Sequence, residues 1–172
     1  MIERAAALLA REPATLYTLL DGARDRSISR RVRASELPSQ SLYEGEGGDE
    51  LAPFGPYLIE LPSAAQAIEA WLREDWGKSR GVFLTSKEPF AAVRRHLRRF
   101  LKVQLEDGRK VYFRFYDPRV LRLFLPRCTY EEWIEFFGPV ESYLAEAEDG
   151  QALLRFRRDA DAPDPERMGL AT

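Results

Sequence analysis

Short, mostly apolar runs that end at Gly, Pro or Asp recur in the first half of the chain and predict strands. They lie near residues 16–20, 57–61 and 82–85. Runs of this kind are typical of strands that are buried on both faces. Helical patterns lie between them, and Ser63 with Gln66 has the spacing of a helix capping box. The alternation predicts an α/β fold with a mixed sheet, in which parallel strands are joined by helices.

The helix that follows the third run has the clearest pattern in the chain. Ser86 can cap it, and Pro89 lies in the first turn, where a missing N–H does no harm. Apolar side chains recur at helical spacing on one side, at Phe90, Val93, Leu97, Phe100 and Leu101. The other side is basic and carries Arg94, Arg95, Arg98, Arg99 and Lys102. We expect this basic side either to be solvated or to receive an acidic partner.

Residues 101–116 change to an alternating pattern, which predicts a β-hairpin that extends the sheet. A two-residue turn at Asp107 and Gly108 would place the apolar residues of the two arms on opposite faces. A three-residue loop instead pairs Val103 with Val111 and makes Gly108 the left-handed residue. We therefore predict the three-residue loop.

The remainder of the chain predicts two capped helices, a weaker hairpin and a tail. Asp117 can cap the first helix, and Thr129 with Glu132 forms a capping box for the second. A weaker alternating pattern covers residues 140–156. We expect one domain over residues 1–156 and a flexible tail over residues 157–172, where acids and prolines leave little to bury.

Composition narrows the possible classes of protein. The chain has 172 residues, 26 Lys and Arg against 28 Asp and Glu, a net charge of −2, and 45% hydrophobic residues. These values suit one soluble domain and disfavour a strongly basic nucleic-acid binder. No stretch approaches the ~20 apolar residues of a membrane span. The short apolar run at residues 5–10 is also too brief for a signal peptide. We expect a cytoplasmic protein that binds neither membrane nor nucleic acid.

Few residues are candidates for catalysis. The single cysteine, Cys128, and the single histidine, His96, exclude an intramolecular disulfide and a Cys/His zinc site. An enzyme could use Asp21, His96 and Asp117, but a turn, a solvated helix position and a helix cap explain these residues equally well. No phosphate-binding loop or dinucleotide fingerprint is present, so we expect no catalytic residues, cofactor or metal.

Arg114 has a predicted structural role. It alternates with Phe113 and Phe115 and is flanked at a distance of two residues by Tyr112 and Tyr116. An arginine in this setting is well placed to stack and to pair with a carboxylate. Asp21 is our hypothesis for that carboxylate.

Several segments, taken in order, resemble the bacterial type VI secretion effector-adaptor family catalogued as domain of unknown function 4123. They comprise residues 16–23, 42–45, 55–58, 81–84, 95–101, 112–121 and 133–139. The most specific pair runs from Arg95 to Leu101 and from Tyr112 to Leu121. The resemblance extends over roughly residues 14–156.

The resemblance implies a non-enzymatic role. Members act as chaperones or adaptors that bind a cognate toxin effector and help to load it onto the secretion spike, the valine-glycine-repeat protein. The expected partners are therefore the effector and, beyond it, the spike or its tip. From the residues, we predict a partner-binding surface formed by the basic helix and the loop at residues 38–54, comprising Arg94, Arg95, Arg98, Leu42, Tyr43 and Phe54. The alternatives are a small enzyme that uses Asp21, His96 or Asp117, or a nucleic-acid-binding module that uses the Arg-rich helix.

Overall fold

The structure is a computed structural model, and it describes residues 1–43, 52–104, 107–160 and 163–171. The helices are α1 (Ile2–Leu9), α2 (Ser27–Ala34), α3 (Ala65–Asp75), α4 (Phe90–Arg98), α5 (Pro118–Phe124) and α6 (Tyr130–Phe137). The strands are β1 (Thr15–Asp21), β2 (Ser39–Ser41), β3 (Pro56–Glu60), β4 (Gly81–Ser86), β5 (Lys102–Gln104), β6 (Lys110–Tyr112), β7 (Val140–Glu146), β8 (Ala152–Arg157) and β9 (Glu166–Gly169). Short 3₁₀ turns occupy Ala52–Phe54 and Leu125–Arg127.

The main sheet has the strand order β2-β3-β1-β4-β7-β8-β9, and every neighbouring pair is antiparallel. The predicted mixed sheet of parallel strands joined by helices is therefore wrong. β3 and β4 do run in the same direction and are joined by α3, but β1 lies between them and is antiparallel to both. The apolar runs locate these strands correctly. They carry no information about which strand lies between two others, and this produced the error.

Helices cover both faces of the sheet, which explains the apolar runs. Alternate residues of β1 point to opposite faces. Leu16 and Leu20 pack with α1, α2 and α3, whereas Tyr17 and Leu19 pack with α4, α5 and α6. A strand with a core on each side has no solvent-exposed face, so its sequence does not alternate.

The β5–β6 hairpin has the predicted pairing but not the predicted place. Val103 lies opposite Val111, and Gly108 has a φ of +83°, both as predicted. The hairpin forms a separate two-stranded sheet and does not extend the main one. After Tyr112 the chain leaves the strand conformation, and Phe115 packs edge-on against Phe136, with ring centroids 5.5 Å apart. The aromatic residues that alternate in this segment, Phe113 and Phe115, therefore pack into the helix-covered core. Residues 105 and 106 of the predicted loop lie outside the described residues.

The helix caps match the sequence patterns in part. The Thr129 and Glu132 capping box is present at α6, and Asp117 caps α5 by accepting the backbone N–H of Arg119. The predicted caps of the two earlier helices are wrong. α3 begins after Ala64 without a side-chain cap, and the Ser86 hydroxyl donates to the Pro139 carbonyl at 2.6 Å.

The C-terminal segment differs from the predicted flexible tail. β7 and β8 form the hairpin that the weaker pattern indicated, and β9 pairs with β8 at the edge of the sheet. Leu170 follows β9 and is buried in the core on the α1 side. Backbone hydrogen bonds do not require apolar side chains, so a polar composition does not exclude an edge strand.

Candidate partner-binding site

The basic side of α4 holds the chain that follows β2. The Arg94 guanidinium donates to the Ser41 carbonyl through Nε at 2.9 Å and Nη2 at 2.7 Å. One turn later, Arg98 Nε donates to the Leu42 carbonyl at 3.0 Å. Arg94 and Arg98 of the predicted surface therefore have a structural role. The sequence pattern predicts solvent or an acidic partner on this side of the helix, not backbone carbonyls of the same chain. Sequence spacing places them on one side of the helix but cannot show which carbonyls they reach.

The apolar members of the predicted surface have different environments. Leu42 is completely buried in the core and presents no surface to a partner. Tyr43 is half-buried, whereas Phe54 is exposed and has the Arg26 guanidinium 5.9 Å from its ring centroid. Residues 44–51 of the predicted loop lie outside the described residues.

Tyr112 extends the same region of the surface. Its ring is edge-on to Tyr43, with centroids 6.1 Å apart, and Lys102 Nζ lies 5.3 Å from the Tyr112 centroid on the hairpin. Tyr112 is 53% exposed, and Arg95 is exposed on α4, three residues before Arg98. We call Tyr43, Arg95, Lys102 and Tyr112 the basic aromatic surface. The predicted register contained a signal for it, because Lys102 and Tyr112 lie directly opposite each other.

Asp21 and Arg114 form the predicted ion pair beneath this region. The Asp21 side chain is 1% exposed, and one of its carboxylate oxygens, Oδ1, accepts the Ala23 N–H at 3.0 Å. Arg114 Nη2 donates to the other oxygen, and the Arg114 side chain is 43% exposed. Burial raises the pKa of the neighbouring Tyr116, and the Asp21 charge raises it further. The tyrosine therefore stays neutral at neutral pH.

A second buried aspartate holds a second exposed arginine. Arg119 binds both carboxylate oxygens of Asp117, through Nε at 2.9 Å and Nη2 at 2.6 Å. Burial alone would raise the pKa of Asp117, but the hydrogen bonds from Arg119 outweigh it and hold the pKa below its usual value. Asp21 and Asp117 thus both orient guanidinium groups at the surface.

His96 is buried, which corrects the expectation of a solvated helix residue. Its Nε2 lies 2.8 Å from the Phe136 carbonyl, and because a carbonyl only accepts, Nε2 carries the proton. Burial lowers the pKa of His96, so the ring is neutral near pH 7. The ring lies against Gly138, where a Cβ atom would be 2.3 Å from His96 Cε1.

The other candidates for chemistry remain separate from one another. No hydrogen bond or ion pair joins His96 to Asp21 or to Asp117 within the part of the chain that the structure describes. Burial raises the pKa of the Cys128 thiol to about 11, so the sulfur is protonated at neutral pH. Among the described residues, no group of three or more His, Cys, Asp or Glu side chains could hold a metal ion.

The described helices are also too short, or too polar, to cross a membrane.

The fold is an antiparallel sheet covered on both faces by helices, with the basic aromatic surface beside the hairpin. The family model described as domain of unknown function (DUF4123) matches residues 16–135. The chain therefore belongs to this family, which is known as one of type VI secretion effector chaperones and adaptors. Comparison with curated proteins and with solved structures gave no match.

Proposed function

We propose that this protein is an adaptor that binds a toxin effector in the cytoplasm of the producing bacterium and helps to load it onto the type VI secretion spike. Family membership over residues 16–135 is the observation that carries the proposal. The matched range runs from β1 to α6 and includes the ion pair, the arginine helix and the hairpin. In this proposal the protein has no catalytic role.

The basic aromatic surface is the part of the domain best suited to receive the effector. Tyr112 offers exposed ring area with the positive charge of Lys102 over it, and Arg95 adds an exposed positive charge on α4. Tyr and Arg are enriched at the centres of protein interfaces. Positive charge selects partners that carry carboxylates and accelerates their association. We expect the effector to present an acidic rim around an apolar contact.

A deletion experiment tests the adaptor role. When the gene is removed from its native bacterium, we expect the culture supernatant to lose one toxin while the spike protein is still secreted. Quantitative proteomics of the supernatant measures both, and complementation with the wild-type gene should restore the toxin. If every toxin is still secreted at wild-type levels, or if spike secretion stops as well, the protein is not a dedicated effector adaptor.

Charge reversal tests the surface separately. We expect Arg95→Glu with Lys102→Glu to reduce co-purification of that toxin by at least about tenfold, because two favourable charges become repulsive. Arg11→Glu with Arg30→Glu is the matched control, since both arginines are exposed and Arg30 lies on α2, which packs on the opposite face of the sheet. Thermal melts confirm that both variants fold. If the two double variants bind the toxin equally well, Arg95 and Lys102 do not form part of the interface.

A further inference from the structure

A polar cavity lies on the sheet face that also carries α1, away from the basic aromatic surface. Thr85, Ser142 and Arg157 form one row across β4, β7 and β8, since each lies directly opposite the next. Residues opposite each other in antiparallel strands share a face. The loop that follows α1 contributes Glu12, and the cavity has a volume of about 380 Å³, within the range of small-ligand sites.

Two largely buried residues, Thr85 and Ser142, line this cavity and carry hydroxyl groups. Thr85 is 1% exposed and Ser142 is 7% exposed, and neither side chain hydrogen-bonds to any described residue. Buried hydroxyls in the same sheet do find partners, because Thr18 donates to the Val82 carbonyl and Ser86 to the Pro139 carbonyl. Neither the Thr85 nor the Ser142 hydroxyl is committed to a partner among the described residues, so both are available to donate to a ligand in the cavity.

The cations around the cavity can turn toward such a ligand. Arg157 pairs with Asp159, and both side chains are more than half exposed. Lys87 pairs with Glu141 and is itself mostly exposed. Exposed ion pairs of this kind contribute little free energy, so an incoming group can replace either carboxylate.

Two further charged groups of the cavity, Arg155 and Glu12, are already paired with each other. Arg155 binds Glu12 at 2.7 Å, and the Glu12 side chain is almost completely buried. Arg155 also binds Glu166 of β9, so its guanidinium is already occupied on two sides. Glu12 therefore has its charge compensated and does not attract a cation into the cavity. With Arg158 included, the lining side chains comprise four cations and three anions.

We propose that this cavity binds an oxyanion, that is, the carboxylate or phosphate group of a ligand. The Thr85 and Ser142 hydroxyls would donate to its oxygens, and Arg157 and Lys87 would supply the charge. Neutral donors combined with a guanidinium group favour carboxylate and phosphate oxygens over other ligands. Adjacent strands lie ~4.8 Å apart, so one oxyanion can bridge Ser142 and Arg157. This proposal does not depend on the adaptor function.

The test is an NMR titration of the full chain with inorganic phosphate and, separately, with acetate. We expect saturable shifts of the Thr85 and Ser142 backbone amides, with a dissociation constant in the millimolar range or below. Tetramethylammonium chloride at equal ionic strength should leave these amides unchanged. Tighter saturation by phosphate would assign a phosphoryl ligand, and tighter saturation by acetate would assign a carboxylate.

Variants show whether the binding uses this cavity. Arg157→Gln should weaken it about tenfold, the loss of one charge-assisted hydrogen bond. Thr85→Val and Ser142→Ala, which preserve approximate shape, should each weaken it severalfold. Arg95→Gln, on the other side of the sheet, is the matched control and should not change it. Shifts that do not saturate with either anion, or equal affinities in Arg157→Gln and Arg95→Gln, would overturn the proposal.

Discussion

Buried carboxylates determine where several arginines of this protein lie. Asp21 and Asp117 are almost inaccessible, and each directs a guanidinium group to the surface. The Asp21–Arg114 pair could be predicted from the sequence, because an arginine between tyrosines on an apolar segment needs a carboxylate partner. The contacts of Arg94 and Arg98 with backbone carbonyls could not, since a carbonyl has no signature in the sequence.

Removing the Arg114 charge should destabilise the fold. We expect Arg114→Gln to lower the free energy of unfolding by about 2 kcal/mol, because it leaves the Asp21 carboxylate buried and uncompensated, while the half-exposed arginine moderates the loss. Urea denaturation at neutral pH measures this. Arg95→Gln, at an exposed helix position, should change stability by less than about 0.5 kcal/mol. Equal midpoints for the two variants would contradict a structural role for the pair.

His96 should make the protein less stable in mild acid. Its pKa in the folded state is lowered by burial, whereas the unfolded chain titrates near 6.5. Below that pH the unfolded chain takes up a proton that the folded chain resists, so the free energy of unfolding falls as the pH falls. Between about pH 7 and pH 5, wild type should therefore lose stability relative to His96→Gln, with a slope that cannot exceed the ~1.4 kcal/mol per pH unit set by one proton.

Urea midpoints of wild type and His96→Gln, measured across this range, provide the comparison. The chain has no other histidine, so the difference between the two proteins isolates this residue. Parallel stability curves would mean that His96 is protonated as easily in the folded state as in the unfolded state.

At the scale of elements, local sequence patterns predicted where the strands lie along the chain, but not which strands pair with one another. β1, β3 and β4 lie where the apolar runs predicted them, and the Val103–Val111 register was correct. The direction of the strands and the separation of the hairpin from the sheet depend on contacts between distant residues, which a pattern of period two or 3.6 does not record. β9 was missed for a related reason, because its pairing uses the backbone.

The buried side chain of Leu170 should stabilise the packing of the C-terminal segment, which includes β9, against the core. We expect Leu170→Ala to lower the free energy of unfolding by about 2–3 kcal/mol, since the side chain is buried among apolar residues. Leu123→Ala removes the same atoms from an exposed site and should cost less than about 0.5 kcal/mol. Chemical denaturation of both variants tests this. If Leu170→Ala is as mild as Leu123→Ala, the segment does not contribute to the stability of the domain.

At the scale of the whole molecule, the sheet joins two helical layers whose surfaces differ. One layer, α4 to α6, adjoins the hairpin and the basic aromatic surface, and the other contains α1 to α3. The polar cavity opens on the face of the second layer, so the two proposed sites lie on opposite faces of one sheet. The two proposals therefore assign two different contacts to separate surfaces of the domain.

The position of β1 in the interior of the main sheet, between β3 and β4, has a consequence for the order of folding. Its two neighbours, β3 and β4, come from residues 56–60 and 81–86. Both sides of β1 therefore depend on pairings between segments far apart in sequence, which close slowly. On the ribosome, the first strand to be made remains without its full set of partners until about half of the chain has been synthesised. During that interval its apolar faces are exposed, and a nascent chain in this state depends on chaperones or on rapid elongation to avoid aggregation.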